Sequence, residues 1–144
     1  MKDSPPKYLF VYGTLMSCSA HPMAVFLRKH ARLLGPALMW GRLYNLGAYP
    51  AAVFDEKTKT KICGELYEIT NPGILLPELD RYEGIEDRPA EPVEYQRAVV
   101  PVTFDGSSVY CWTYLCKEEN TALPQVPPND HQEVSWYGIC PKLH

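Results

Sequence analysis

Proline content is the feature that most limits what this chain can fold into. The 144 residues include 14 prolines, spread along most of the sequence. A proline has no backbone N–H to donate, and its ring clashes with the preceding helical turn, so it is excluded from helix interiors and central strands. The sequence therefore predicts strands, turns and loops with only short helices. Its length suits one hydrophobic core, and we expect a single domain over residues 1–144.

The N-terminal region predicts a buried strand followed by a short helix. Residues 8–12 are an aromatic and β-branched run that ends at Gly13, which is typical of a buried strand entering a turn. Pro22 then opens a stretch whose apolar residues recur at helical spacing as far as His30, and a proline is tolerated in a first helical turn. A loop should therefore leave the carboxyl end of the first strand.

The next segments predict several strands. Residues 31–44 have strand composition with an interruption at residues 35–36, where Gly is followed by Pro. Residues 51–54 and 62–69 also read as strands, and the charged residues 55–61 join them. We expect the last two strands to pair as a β-hairpin across that charged link.

A second helix is predicted after Asn71, which can cap it, with Pro72 in its first turn. Apolar residues follow at helical intervals until Gly84 supplies a C-terminal stop. Glu83 is then the last residue before that stop. A carboxylate is thus expected at the carboxyl end of the second helix.

The C-terminal half ends in a strong hairpin signal. Residues 95–104 and 109–116 have strand composition and flank the turn sequence at 105–108. Residues from 117 onwards are rich in Pro and Asn and read mainly as loop. This order of elements predicts an α+β fold, with a small mixed or antiparallel β-barrel and flanking helices.

The charge pattern argues against a nucleic-acid partner. The formal net charge is −3, and the lysines of the 55–61 segment are scattered rather than continuous. Without a basic surface there is no phosphate-neutralising contribution to binding. The sequence also has no uninterrupted apolar run of membrane-spanning length and no apolar leader at its start, so we expect neither membrane insertion nor secretion.

Cysteine usage predicts reduced thiols in the cytoplasm. The five cysteines are odd in number and form no CxxC pair, which makes a disulfide framework improbable. We expect Cys63, Cys111 and Cys116 to be small buried core residues. The four histidines and these cysteines match no zinc spacing, so no metal site is predicted.

Four short motifs together resemble a known enzyme family. They are Phe10-Val11-Tyr12-Gly13-Thr14-Leu15, Gly64-Glu65-Leu66-Tyr67, Leu79-Asp80-Arg81-Tyr82-Glu83-Gly84 and Tyr95-Gln96-Arg97. In this order and spacing, across residues 8–116, the sequence resembles the γ-glutamylcyclotransferase-like family, in particular its γ-glutamylamine cyclotransferase branch and bacterial relatives.

The resemblance implies a small β-barrel enzyme that converts a small-molecule γ-glutamyl amine or peptide to 5-oxoproline and releases the amine. No cofactor is implied, because nucleophile and electrophile belong to the same substrate molecule. Glu83 is implied as the catalytic residue. The implied substrate-binding residues are Tyr12, Gly13, Thr14, Leu15 and Tyr95.

The chemistry of these residue types agrees with the implied roles. Backbone N–H groups of residues 13–15 can form an anion-binding nest for the substrate carboxylate or the developing oxyanion, with Gly13 allowing a close approach and an unusual φ/ψ. Glu83 can take a proton from the α-ammonium and return one to the departing amine. Partial burial against aromatic rings such as Tyr12 would raise the pKa of Glu83 towards that task. Tyr95 can donate a hydrogen bond to the substrate.

Other readings of the same residues stay open. A thiol enzyme would use Cys18 as nucleophile with His21 or His131 as base. A non-enzymatic module of the same fold would bind a γ-glutamyl or amino-acid-like ligand, because fold does not fix function. Asp80 and Arg81 read as a solvated ion pair.

Three matters are left open by the sequence. The loop at residues 85–92 is longer than the family resemblance leads us to expect, which leaves the identity of the leaving amine undecided. The oligomeric state and the contacts of the Pro-rich C-terminal segment are also undecided.

Overall fold

The fold was analysed in a computed structural model, which describes residues 5–47, 50–83, 95–116 and 123–136. Within these residues, seven strands and two helices follow one another along the chain. They are β1 (Tyr8–Val11), α1 (Pro22–His30), β2 (Ala31–Asn45), β3 (Pro50–Phe54), β4 (Lys61–Ile69), α2 (Pro72–Glu83), β5 (Tyr95–Phe104), β6 (Ser107–Cys116) and β7 (Glu133–Val134).

Five of these strands form a closed barrel. The hydrogen-bonded order runs β2-β5-β6-β1-β4, and a further pairing between β4 and β2 completes the ring. All of its pairs are antiparallel except β1 with β6. β3 extends the sheet beside β2, and β7 adds a short parallel pair to β4. This confirms the predicted α+β fold with a small β-barrel and flanking helices.

The long strand β2 overturns the predicted hairpin across residues 55–61. Its first ten residues pair with β4, and residues 41–45 pair with β3, so β3 and β4 occupy successive segments of β2 and are not partners. The reason is that only residues 46–49 separate β3 from β2, so pairing with β2 closes a shorter connection than pairing with β4 across residues 55–60. Gly41 lies at the transition, where an added Cβ would lie 2.1 Å from the Val53 carbonyl oxygen.

The interruption predicted at residues 35–36 is a local irregularity within a continuous strand. The register of β2 against β4 shifts between Leu33 and Gly35, and Gly35 has a φ of +147°. A bulge of this kind bends the strand while the pairing continues on both sides. β2 therefore curves around the barrel instead of ending.

In the C-terminal half, the hairpin of β5 and β6 was predicted and the short strand β7 was not. β5 and β6 are joined by a two-residue turn in which Asp105 and Gly106 have φ values of 51° and 78°. This confirms the predicted hairpin, with β6 beginning earlier, at Ser107. The short strand β7, which pairs with Lys61 and Ile62 of β4, was missed because only two residues of a loop-like sequence take part.

The apolar core has two main parts, one inside the barrel and one under the helices. The barrel interior is filled by residues that include Phe10, Tyr12, Met39, Leu43, Ile62, Leu66, Val100, Val102, Cys111 and Leu115. The second cluster packs α1 and α2 against the barrel wall and includes Leu9, Val11, Leu15, Leu27, Tyr67, Leu75, Leu79 and Tyr114. Alternating residues of β1 serve the two clusters in turn, as expected for a strand with both faces buried.

The cysteines correct one expectation. Cys111 and Cys116 are buried and free, as predicted, and burial raises the pKa of the Cys111 thiol to about 12. Cys63 is also buried, but it is disulfide-bonded, so the prediction of reduced thiols is wrong for this residue. Spacing along the chain could not reveal the bond, because a disulfide needs only that two Cα atoms lie within about 7 Å in space.

No helix within the described parts of the chain is long and apolar enough to cross a membrane.

The tight contact of β4 with β1 gives a stability test. An added Cβ at Gly64 would lie 2.3 Å from the Val11 carbonyl oxygen and 2.6 Å from the Phe10 ring. We expect Gly64→Ala to lower the free energy of unfolding by at least about 2 kcal/mol, because neither the strand backbone nor the buried ring can move away cheaply. Urea unfolding followed by circular dichroism would measure this change.

Gly73 provides the control, since an added Cβ there meets nothing within 4 Å in the first turn of α2. Gly73→Ala should leave the free energy of unfolding unchanged or raise it by up to about 1 kcal/mol. Equal unfolding midpoints for the Gly64→Ala variant and the wild-type protein would contradict this close contact of β4 with β1.

Candidate functional site

The loop that leaves β1 is built from tight turns anchored in the core. Met16 donates its backbone N–H to the Gly13 carbonyl at 3.0 Å, which closes a turn directly after Tyr12. Leu15 and Met16 are both buried, so the middle of the loop is fixed by its own side chains. Thr14, which comes just before them, is half-exposed. The residues of the predicted substrate loop are therefore held in one rigid segment at the end of the barrel.

Glu65 clamps the far end of this loop. Its carboxylate accepts the Ser17 backbone N–H at 2.6 Å and the Ser17 hydroxyl at 2.5 Å. Glu65 lies opposite Val11 in the pairing of β1 with β4, so the clamp sits where β1 ends. Bonds from neutral donors to a carboxylate are stronger than neutral pairs, and this one holds the loop to the neighbouring strand.

Gly13 is needed for close packing rather than for an unusual backbone angle. It does not have a positive φ, so the φ/ψ expected of it is not observed. An added Cβ would instead lie 2.8 Å from Cγ of Pro50. Tyr95 donates its hydroxyl to the Pro50 carbonyl at 2.7 Å. Tyr95 thus supports the proline that packs on the loop, a contact that the sequence did not predict.

Tyr12 points into the end of the barrel. Its side chain is buried, and its hydroxyl donates to the Tyr114 carbonyl at 2.5 Å. Burial raises the pKa of the Tyr12 phenol well above its ordinary value, and the negative charge of Glu83 raises it further. The phenol therefore stays protonated and can act as a hydrogen-bond donor across the range in which enzymes work.

Glu83 lies at the same end of the barrel as the loop. It is the half-buried last residue of α2, and its charge raises the pKa of both the Tyr12 and the Tyr114 phenols. Its neighbour Tyr82 makes a 2.9 Å hydrogen bond between its hydroxyl and the Thr14 hydroxyl. The end of α2 and the loop are thus in direct contact, which brings the predicted acid and the predicted substrate loop together.

A polar cluster that the sequence did not reveal lies one turn before Glu83. Arg97 binds Asp80 with two hydrogen bonds, from Nε at 2.8 Å and from a terminal guanidinium nitrogen at 3.1 Å. Tyr114 donates its hydroxyl to the same carboxylate at 2.6 Å. The guanidinium also stacks on the Trp112 ring at 4.3 Å. Burial and the Asp80 carboxylate raise the pKa of the Tyr114 phenol, so this hydroxyl keeps its proton.

This cluster corrects the reading of Asp80 and Arg81 as a solvated ion pair. Arg81 forms an exposed ion pair with Glu78, one turn earlier on the same helix. Asp80 faces the barrel instead, because successive helix residues point about 100° apart around the axis. The partner of Asp80 is distant in sequence, which is why the pattern of the helix alone could not identify it.

The geometry of His21 gives no support to the thiol reading. Cys18 is exposed and free. Nδ1 of His21 accepts the Met23 backbone N–H at 3.0 Å and caps α1, while Nε2 lies 3.4 Å from the Tyr82 hydroxyl. Both ring nitrogens therefore have partners other than a thiol. The residues that the structure describes also include no group of three or more His, Cys, Asp or Glu side chains that could hold a metal ion.

Comparison with known protein families gives a match over most of the chain. Residues 9–136 match the family described as gamma-glutamyl cyclotransferase, AIG2-like. The match covers β1, the loop, both helices and the hairpin of β5 and β6. No curated protein matches the sequence.

Solved structures share the fold. An AIG2-like protein from Mus musculus superposes with a TM-score of 0.63 at 24% identity, over 84% of this chain and 86% of that one. YkqA from Bacillus subtilis gives a TM-score of 0.60 at 24% identity over 81% of this chain, which spans only 38% of the YkqA chain. The protein c4763 of uropathogenic E. coli gives a TM-score of 0.56 at 19% identity, over 83% of this chain and 87% of that one. At these identities the likeness establishes the fold.

The Glu65 clamp can be tested by amide hydrogen exchange. Glu65→Ala removes both acceptors of Ser17, so we expect the amides of residues 13–17 to exchange at least about 10-fold faster, the factor that corresponds to losing bonds to a charged group. Glu68→Ala is the matched control, because Glu68 lies on the same strand but pairs with the exposed Arg32. Equal exchange of the loop in both variants would mean that the clamp does not hold it.

Proposed function

Because the chain belongs to the AIG2-like γ-glutamyl cyclotransferase family, we propose that it converts a γ-glutamyl amine or γ-glutamyl peptide to 5-oxoproline and releases the amine. The observation that carries the proposal is the meeting of Glu83 with the loop after β1. The charge of Glu83 acts on Tyr12, and the adjacent Tyr82 is hydrogen-bonded to Thr14. An acid held against a rigid loop is the arrangement that this reaction requires.

The proposed reaction needs no external nucleophile. The α-nitrogen of the substrate attacks its own γ-carbonyl carbon, a C–N bond to the leaving amine breaks, and a five-membered lactam remains. The α-nitrogen loses two protons on going from ammonium to lactam, and the departing nitrogen gains two on leaving as an ammonium. The reaction is therefore balanced within the substrate, provided that a group in the site moves protons between the two nitrogens.

Glu83 is proposed as that group. As a carboxylate it accepts a proton from the α-ammonium so that the neutral amine can attack, and as an acid it protonates the departing nitrogen. It is half-buried at the end of α2, so it is partly shielded from water.

The loop is proposed to bind the ends of the glutamyl group. The backbone N–H groups at Gly13, Thr14 and Leu15 are candidates for the α-carboxylate or the developing oxyanion. Tyr12 can line the site below them. Tyr95, whose hydroxyl hydrogen is engaged by the Pro50 carbonyl, can still accept a hydrogen bond from the α-ammonium or the leaving amine. Folding the substrate into a near-attack geometry is then the main contribution of the loop.

Product identity tests the proposed function. A panel of γ-glutamyl amides and peptides should yield 5-oxoproline and the free amine in equal amounts, measured by mass spectrometry. The N-acetylated forms should not react, because the acetyl group removes the nucleophilic lone pair of the α-nitrogen. Cys18→Ser should retain full activity. Free glutamate as first product, or loss of activity in the Cys18→Ser variant, would favour the thiol enzyme, and binding without turnover would favour the ligand-binding module.

Glu83→Gln tests the proton-transfer role. The amide keeps the shape of the side chain but cannot exchange the proton, so we expect kcat to fall by about 10²- to 10⁴-fold, the range for general acid-base catalysis. The matched control is Glu78→Gln on the exposed face of the same helix, which should leave kcat unchanged. A Glu83→Gln variant with the turnover of the wild-type protein would exclude Glu83 as the acid-base group.

A further inference from the structure

We propose that Asp80, bound by Arg97 and Tyr114, is a positioning residue that holds the last turn of α2, and with it Glu83, against the barrel where α2 meets the loop after β1. This inference rests on the proposed function, because positioning matters only if Glu83 acts on a substrate. Neither the family resemblance nor the motif that contains Asp80 assigned it this part. Glu83 is the last residue of α2.

A carboxylate at a helix end needs an external anchor to keep a fixed position. Terminal residues of helices lack part of the internal hydrogen bonding, and their last turns open more readily than the middle. Asp80 precedes Glu83 by three residues, so the two side chains lie on neighbouring parts of the same helix face. Fixing Asp80 against the barrel therefore fixes the turn that carries Glu83.

The contacts of Asp80 join α2 to two barrel strands. Arg97 of β5 supplies two parallel hydrogen bonds and Tyr114 of β6 supplies a third. Side-chain exposure is 25% for Arg97 and 22% for Asp80, which shields the pair from water on most sides. A bidentate guanidinium-carboxylate pair that is partly buried, with the guanidinium stacked on Trp112, is geometrically specific in a way that a flexible surface pair is not.

Tyr114 connects this anchor to the site itself. Its hydroxyl donates to Asp80, whereas its carbonyl accepts the Tyr12 hydroxyl. Tyr114 therefore binds both Asp80 in the last turn of α2 and the side chain of Tyr12. The relative position of Glu83 and Tyr12 is set through two short bonds and the backbone between them.

Arg97→Lys is the decisive variant because it keeps the positive charge and removes the two-pronged contact. We expect kcat per folded enzyme to fall by about 10- to 100-fold, the cost of misplacing a catalytic group by up to about 1 Å. KM should change by less than about 2-fold, because the loop that binds the substrate is untouched. A purely structural role would lower the unfolding temperature and leave kcat of the folded protein unchanged.

Arg32→Lys is the matched control. Arg32 forms an ion pair with Glu68 on the neighbouring strand, but its side chain is 69% exposed and neither residue belongs to α2. The same substitution there should alter neither kcat nor KM. If Arg97→Lys does not fold, Asp80→Asn carries the same expectation, because an amide cannot hold the guanidinium fork as a carboxylate does. A folded variant of either kind with the kcat of the wild-type protein would overturn the proposal.

A measurement without substrate separates this inference from the proposed function. In protein labelled with [5-¹³C]glutamate, the Glu83 carboxyl resonance is assigned by its loss in Glu83→Gln. Arg97→Lys should shift or broaden that resonance, and Arg32→Lys should not. If no γ-glutamyl compound yields 5-oxoproline, the proposed function fails, and this resonance alone decides whether Asp80 positions Glu83. An unchanged resonance in Arg97→Lys would show that it does not.

Discussion

Backbone hydrogen bonds between β2 and β4 close the barrel, because β4 already pairs with β1 along its other edge. Closure fixes which residues meet at the end of the barrel. It sets Glu65 opposite the last residue of β1, where it clamps the loop at Ser17. The hairpin of β5 and β6 takes its place in the same ring, and its register sets Arg97 opposite Tyr114. An open sheet would leave these contacts without a common frame.

Electrostatic balance at the end of α2 explains why so many polar groups collect there. Asp80 and Glu83 are two carboxylates on adjacent parts of one helix face, and like charges at this spacing repel each other. They also lie near the carboxyl end of the helix, where the backbone dipole disfavours negative charge. Arg97 and the Tyr114 hydroxyl compensate Asp80 directly. The helix can therefore carry Glu83 at its end without losing the turn that supports it.

Short sequence signals were enough to predict most helices and strands. They were not enough to predict which strands pair when the partners are distant along the chain. Pro22, Asn71 and the Asp105-Gly106 turn act on their immediate neighbours, so the helix starts and the last hairpin were recognisable. The partner of β3 could not be identified in the same way, because β2 and β4 flank it on either side along the chain and composition does not distinguish between them. Gly13 was identified as special, but the structure shows that its partner is Pro50. The disulfide at Cys63 contradicts the expectation of reduced thiols for that residue.

In the candidate site too, residues marked by local motifs could be predicted, whereas contacts between residues distant in sequence could not. Glu83 and the loop after β1 could be proposed from short motifs, whereas Asp80 could not be separated from an exposed ion pair without knowing which residues face it.

The anchoring of Asp80 bears on whether the protein is a catalyst or only a binding module. A module that only binds a ligand needs the loop, which Glu65, Pro50 and Tyr82 hold from three different elements. It does not need a carboxylate whose helix turn is tied to two strands by three hydrogen bonds. Such an anchor is useful where the position of an acid must be reproduced to a fraction of an ångström, which is the requirement of proton transfer. The cost of ordering these side chains is therefore easier to understand for a catalyst than for a binding module.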